Sequence, residues 1–205
     1  MSRGAVPSGV VPNAFPTSLS PSRANDFLTC PLLFRFRSID RLPEPSSPAQ
    51  LRGTLVHSAL EGLFDLPAVD RNVDAAARLL EEAWVQLAAD DPQSAQTLLA
   101  DLTLPVDAEA AHMAAQVLAP VRPLLDAYFT LEDPRRLEPH ARELGVSVDV
   151  ADGFALRGFI DRVDRAPNGD IRIVDYKTGR APSARFESKA MFQMRFYALV
   201  WWRMT

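Results

Sequence analysis

The sequence predicts an α/β fold in which a β-meander is flanked by helices. Three observations carry that reading. From Leu144 the apolar period changes to two, giving "LGVSVDV", "FALRGFIDRVD" and "DIRIVDYK" as three strands. The signals "ADG" and "PNG" divide these strands as turns. Helical spacing governs most of what precedes them and returns in "SKAMFQMRFYALVWWRM".

Composition sets the limits. The 205 residues suit one domain of moderate size, alone or with an insertion. At 47% hydrophobic and 23% charged, the chain has the make-up of an ordinary soluble globular protein. No run of about 18 apolar residues occurs, so no membrane span is expected. No apolar stretch follows Arg3, so no secretory leader is expected. A single cysteine, Cys30, leaves no partner for an internal disulfide and fits a reducing cytoplasm.

The net charge of −4 argues against a nucleic-acid partner until its distribution is considered. Residues 61–110 carry eleven acids and two bases, whereas residues 157–205 carry ten bases and five acids. Residues 20–60 carry five arginines and three acids. Such a split suits a basic surface on one side of the fold. Charge alone favours an ordinary solvated surface.

Residues 1–19, rich in Pro, Ser, Gly and Val, read as a disordered tail, with a single domain over 20–205. Ser20 is placed to cap a helix with Pro21 in its first turn, and Pro31 marks a break. "LPEPSSPAQ" reads as a loop on composition. "GTLVHSALEGLF" (53–64) has Val56, Leu60, Leu63 and Phe64 at helical spacing, with Thr54 as a candidate cap. Residues 72–90 and 106–130 read as two further helices, with Pro120 and Pro123 kinking or ending the second. This middle region, about 65–140, carries no evident chemistry and reads as a helical insertion.

Chemistry concentrates in the strands. On the last one, Ile171, Ile173, Asp175 and Lys177 share a face by the two-residue period. A carboxylate at the end of an apolar face needs a cation nearby. Asp161, on the preceding strand, supplies a second carboxylate if the hairpin register allows it. A two-residue loop Asn168-Gly169 sets Asp161 opposite Tyr176, with the carboxylates on opposite faces. A three-residue loop Pro167-Asn168-Gly169 sets Asp161 opposite Asp175, with Gly169 as the left-handed residue. The three-residue register is the expectation. It brings two carboxylates within about 5 Å of each other, where they repel unless a cation lies between them. Oxygen ligands of this kind suit magnesium or manganese. Lys177 then stands where negative charge develops during metal-assisted phosphodiester hydrolysis.

Asp161, a spacing of fourteen, then Asp175-x-Lys177 resembles the signature of the PD-(D/E)XK nuclease superfamily. Four segments occur in the family's order: "GTLVH", "GFIDRVD", "VDYKTG" and "QMRFY". Together they resemble the RecB-family exonucleases and the nuclease domains of bacterial recombination and CRISPR-associated proteins, over roughly residues 18–64 and 144–203. The resemblance implies a restriction-endonuclease-like core. It implies His57, Asp161 and Asp175 as metal ligands, with the Tyr176 carbonyl as a fourth. It implies Lys177 as the catalytic lysine, beside Asp175, Asp161 and His57. Gln193 and Tyr197 match a QxxxY motif associated with DNA and the active site. These two are four apart and so share a helix face.

Around these motifs, Arg157, Arg162, Arg180 and Arg185 are candidates to hold phosphates, with Arg162, Asp164 and Thr178 otherwise read as site support. Glu61 shares the His57 stripe and is either a further acid near the metal or a surface charge. His112 and His140 lie outside every motif and read as ordinary.

The resemblance has a gap. In relatives, a cysteine at the position of Cys30 begins a four-cysteine iron–sulfur ligand set, and the other three follow the QxxxY motif. They are absent here, so no cluster is expected, and Cys30 reads as a buried small hydrophobe or an orphan ligand. The chain also reads as shortened at its C-terminus, which leaves Trp201 and Trp202 as a candidate exposed patch. The expected function is a magnesium-dependent deoxyribonuclease, probed first as an exonuclease on DNA ends or single strands in repair or recombination. No Walker A sequence occurs, so any helicase activity belongs to a partner. Two other readings stay open: a non-catalytic DNA-binding or assembly module, and a structural ion-pair network.

Overall fold

The computed structural model describes residues 16–100, 102, 109–179 and 187–205, the side chains of 187–190 excepted. Packing divides the chain into two compact units. One draws on Met1–Glu44, Val146–Gly158 and Ser188–Thr205, the other on Pro45–Gly145 and Phe159–Glu187.

In the first unit, strand β1 (Ser18–Leu19) pairs in parallel with Ala155 and Leu156. The tail expected over residues 1–19 therefore ends before Ser18, and residues 1–15 lie outside the described residues. Helix α1 (Pro21–Thr29) starts as its sequence dictates. The Ser20 hydroxyl accepts from the Arg23 N–H, and Pro21 sits in the first turn where its missing N–H costs nothing. Helix α2 (Pro31–Phe34) runs into a π-helical turn at Arg35–Ile39. Cys30, at the junction of α1 and α2, is exposed, so it is not the buried small hydrophobe that its composition suggested. The C-terminal helix of the chain, Glu187–Met204, contributes its part from Ser188 onward. Its Tyr197 ring lies where a side chain on Gly158 would have to go: a Cβ there would meet the ring at 2.8 Å. Of the expected Trp201–Trp202 patch, Trp202 is exposed and Trp201 half-buried.

The second unit is built on α3 (Pro48–Leu63). Ser47 and Gln50 form a capping box, each satisfying the other's main-chain N–H. The expected start at Thr54 is therefore late. "SSPAQ" is not loop but cap and first turn, and Thr54 donates to the Gln50 carbonyl from inside the helix. Leu51, Leu55, Val56, Leu60 and Leu63 bury one face of α3. They join Leu80 and Trp84 of α4 (Val73–Asp90), Leu98 of α5 (Pro92–Ala100), and Leu125 and Tyr128 of α7 (Arg122–Leu131) in one core. Each fully buried aliphatic side chain there contributes about 1.5–3 kcal/mol.

Helix α4 matches the expectation for 72–90. The expected helix over 106–130 is divided at Ala119–Val121 into α6 (Ala110–Leu118) and α7; Pro120 falls in the break and Pro123 in the first turn of α7. Arg71, 4% exposed, ties the two ends of this helical region together. Its guanidinium donates to the carbonyls of Phe64 and Leu66 on one side and of Pro134 and Leu137 on the other.

The meander is present as β2 (Ala141–Ala151), β3 (Phe154–Arg165) and β4 (Ile171–Val174). β3 is the central strand of a mixed sheet, paired with β1, β2 and β4. The α/β class with helices flanking a mixed sheet is thus as expected. The β3–β4 register pairs Arg162 with Val174, Val163 with Ile173, Asp164 with Arg172 and Arg165 with Ile171. The loop is the three-residue one. The Ala166 N–H bonds the Asp170 carbonyl at 2.8 Å, and Gly169 takes a φ of 91° that favours glycine. One further step along this register sets Asp161 against Asp175. The helix after residue 186 is labelled α8 below.

Candidate metal centre and its support

All the groups described next, apart from Gln193, Tyr197, Gly158 and Arg157, belong to the second unit. Helix α3 delivers His57 and β3 delivers Asp161. The chain leaving β4 delivers Asp175, Tyr176 and Lys177. His57 Nδ1 lies 3.5 Å from Asp161 Oδ2, and its Nε2 lies 2.8 Å from the Tyr176 carbonyl. The same Asp161 oxygen accepts the Tyr176 N–H at 2.6 Å. Three of the four expected ligand groups, His57, Asp161 and the Tyr176 carbonyl, are therefore brought together. Asp175 has little exposed surface and pairs with the Lys177 ammonium at 2.7 Å.

Glu143, near the start of β2, is a residue that sequence reasoning missed. His57, Glu143 and Asp161 each offer a ligand atom within 4.8 Å of the others, a grouping able to hold a metal ion. Glu143 adopts a φ of 42°, which an L-residue with a side chain rarely takes. Sequence gave no signal for it beyond an acid at the head of a strand.

The electrostatics fit a cation. Burial pushes the Asp161 carboxyl above its ordinary value, and the charge of Asp175 adds to this against the Tyr176 N–H and His57. Partial burial likewise raises Glu143, with Asp161 and Glu61 as like-charged neighbours. Burial is the larger cause for both carboxyls, and neighbouring negative charge adds to it. An imidazole and two carboxylates are a donor set suited to a divalent ion.

Beneath this centre lies a second network. Arg162 is fully buried. Its Nη1 donates to Glu132 at 2.6 Å and to the Tyr176 hydroxyl at 2.8 Å, and its Nη2 donates to Glu132 at 2.9 Å and to Asp164 at 3.2 Å. Its Nε lies 3.1 Å from Asp164 Oδ1, close enough for charge pairing but off the hydrogen-bonding direction. Arg172 completes the cluster through Asp164. The guanidinium also lies over the rings of Phe64, 5.1 Å away, and Tyr176, 5.6 Å away. Burial disfavours its charge, but the Glu132 hydrogen bonds outweigh that and hold it protonated. Burial pushes the Tyr176 phenol up to about 12, so it remains a donor-capable hydroxyl.

Arg162 is thus no phosphate contact, because none of its surface reaches solvent; support is the role its burial permits. Glu132, with Tyr128 one turn before it, comes from the end of α7, so the middle region expected to lack chemistry reaches the site. In the sequence Tyr128 lies on the helix expected over 106–130 and Glu132 two residues past its end, which left the pair without a signal. A cavity of about 240 Å³ opens beside Asp175 and Lys177, walled by Val56, Leu60, Leu124 and Tyr128. Gln193 and Tyr197 lie one turn apart on α8 in the other unit, with Tyr197 packed on Gly158. Arg157 is exposed. Arg180 and Arg185 lie outside the described residues.

A profile of the PD-(D/E)XK nuclease superfamily matches residues 18–205, and the chain belongs to that superfamily. Membership implies a metal-dependent nuclease acting on DNA. No curated protein matches the chain at a significant level. Among the described residues, no helix is long and apolar enough to cross a membrane.

Proposed function

We propose that this protein is a magnesium- or manganese-dependent deoxyribonuclease of the RecB-like type, an exonuclease acting on DNA ends or single strands in repair or recombination. The observation that carries this reading is the convergence of His57, Glu143 and Asp161 beside the Asp175–Lys177 pair. His57, Asp161, Asp175, Glu143 and the Tyr176 carbonyl are the groups proposed to hold the metal. A bound divalent ion supplies Lewis acidity toward a phosphate oxygen and lowers the pKa of a coordinated water.

The protein's own groups do the rest. Asp161, inside β3, and Asp175, just past β4, supply the carboxylates, and Asp161 fixes the Tyr176 main chain through its N–H. The Lys177 side chain, 61% exposed, can meet an incoming phosphate, while Asp175 holds its ammonium in place. Gln193, Tyr197 and Arg180 are proposed to contact DNA or to support the site. The match over 18–205 supports reading the chain as one nuclease-like domain with a helical insertion at about 65–140. A helicase or recombination protein and a cytoplasmic location are part of the same proposal.

Linear single- and double-stranded DNA incubated with magnesium or with EDTA tests it. Metal-dependent cleavage should be lost in Lys177→Ala and Asp175→Ala. Equal cleavage by those variants would assign the activity to a contaminant.

A further inference from the structure

Resting on the nuclease reading of the metal centre, we infer that Arg162 is a positioning residue: by holding the Tyr176 side chain from within the core, it sets the main chain of Asp175-Tyr176-Lys177. Asp161 and Arg162 are neighbours in β3, so their side chains leave opposite faces of the strand. Both end on the same residue of the next segment. Asp161 takes the Tyr176 N–H at 2.6 Å, and Arg162 takes its hydroxyl at 2.8 Å. Tyr176 is thereby gripped at main chain and side chain by one dipeptide, although it lies beyond the last residue of β4 and has no ladder bond there to hold it.

The grip matters because of what Tyr176 carries. Its carbonyl faces His57, and its two chain neighbours are the Asp175 carboxylate and the Lys177 ammonium. A rotation of this peptide would move all three groups. Arg162 is itself held rigidly. Glu132 takes it from the end of α7 through two bonds and Asp164 from its own strand, while the guanidinium lies over the Phe64 ring and donates to the Tyr128 hydroxyl. A buried guanidinium is a costly way to obtain stability alone, since a well-packed apolar group of similar volume often serves as well. Its fixed, planar fork of donors suits a positioning role that an apolar group cannot fill.

The test compares Tyr176→Phe, which removes only the hydroxyl, and Arg162→Lys with Leu98→Val, a core change remote from the network. The main readout needs neither metal nor DNA: amide hydrogen exchange at Tyr176, followed by NMR. Exchange there should accelerate about tenfold or more in Tyr176→Phe and Arg162→Lys, and stay unchanged in Leu98→Val. Manganese binding, measured by calorimetry without DNA, should weaken about tenfold in the first two variants, the usual scale for losing a group that orients a ligand. With DNA, kcat should fall while KM holds. Unchanged Tyr176 exchange, or unchanged manganese affinity and kcat in Tyr176→Phe, overturns the inference. A wild-type protein that neither binds manganese nor cleaves DNA would overturn the nuclease reading, and the exchange data would still decide the role of Arg162.

Discussion

Asp161 accepts the Tyr176 main-chain N–H at 2.6 Å while its own ionised form is disfavoured by burial and by the nearby Asp175 charge. The hydrogen bond and the charge can be separated. Asparagine keeps an acceptor for the N–H and removes the charge. Asp161→Asn is therefore expected to raise stability without metal by about 0.5–2 kcal/mol, in the manner of other sites that trade stability for function. It should also abolish both cleavage and the stabilisation that magnesium gives the wild type. Thermal melting in EDTA and in magnesium checks both parts.

The same carboxyl sets a pH dependence. A folded pKa raised above the unfolded value of 3.8 means a contribution fully present below that value and lost as pH rises through the folded pKa. In EDTA, the stability difference between wild type and Asp161→Asn should open as pH climbs above 3.8. Denaturant titrations from pH 3.5 to 7 read this directly.

Glu132 behaves in the opposite sense. Burial would raise its carboxyl, but the Arg162 hydrogen bonds outweigh burial and hold it below 4.5. Its contribution is present above that value and is lost as pH falls through the lowered folded pKa. Glu132→Gln should flatten the acid limb of the stability profile below about pH 4.5, and should destabilise the protein at pH 7 by about 3 kcal/mol or more, because it leaves a buried guanidinium short of a counter-charge.

Gly158→Ala tests the first unit. A Cβ at 2.8 Å from the Tyr197 ring cannot be accommodated without movement, and that ring is only 5% exposed. A cost of about 1–3 kcal/mol is expected, the range for overpacking a filled core. Urea unfolding of the variant measures it.

Arg71→Met should cost at least about 2 kcal/mol, because the buried carbonyls it serves lose a charged donor. Peptides around residues 64–66 and 134–138 should lose hydrogen-exchange protection together, since one side chain closes both.

Much of this was legible in the sequence because the informative signals were local. The turn at Pro167-Asn168-Gly169 allowed two registers, and the need to pair Asp161 with Asp175 selected the three-residue one that the β3–β4 ladder shows. The cap at Ser20 was equally plain. At α3, the prolines that suggest a loop conceal a capping box, so the sequence points to Thr54 where Ser47 is the cap. β1 has two residues, too few for any period to declare itself. Glu143 depends on a left-handed main chain that its sequence neighbours do not encode. The Arg162–Glu132 contact joins residues 30 apart, and only the tertiary fold reveals it.

The sharing of the Phe64 ring by Arg71 and Arg162, at 5.3 and 5.1 Å, has a practical meaning for anyone wishing to miniaturise this protein. Residues 65–140 look dispensable as a string of helices hung between two motifs. Cutting them out would remove Tyr128 and Glu132 and strand a cation in the interior one residue from Asp161. The helical region is a keystone, and a smaller version would first need Arg162 replaced.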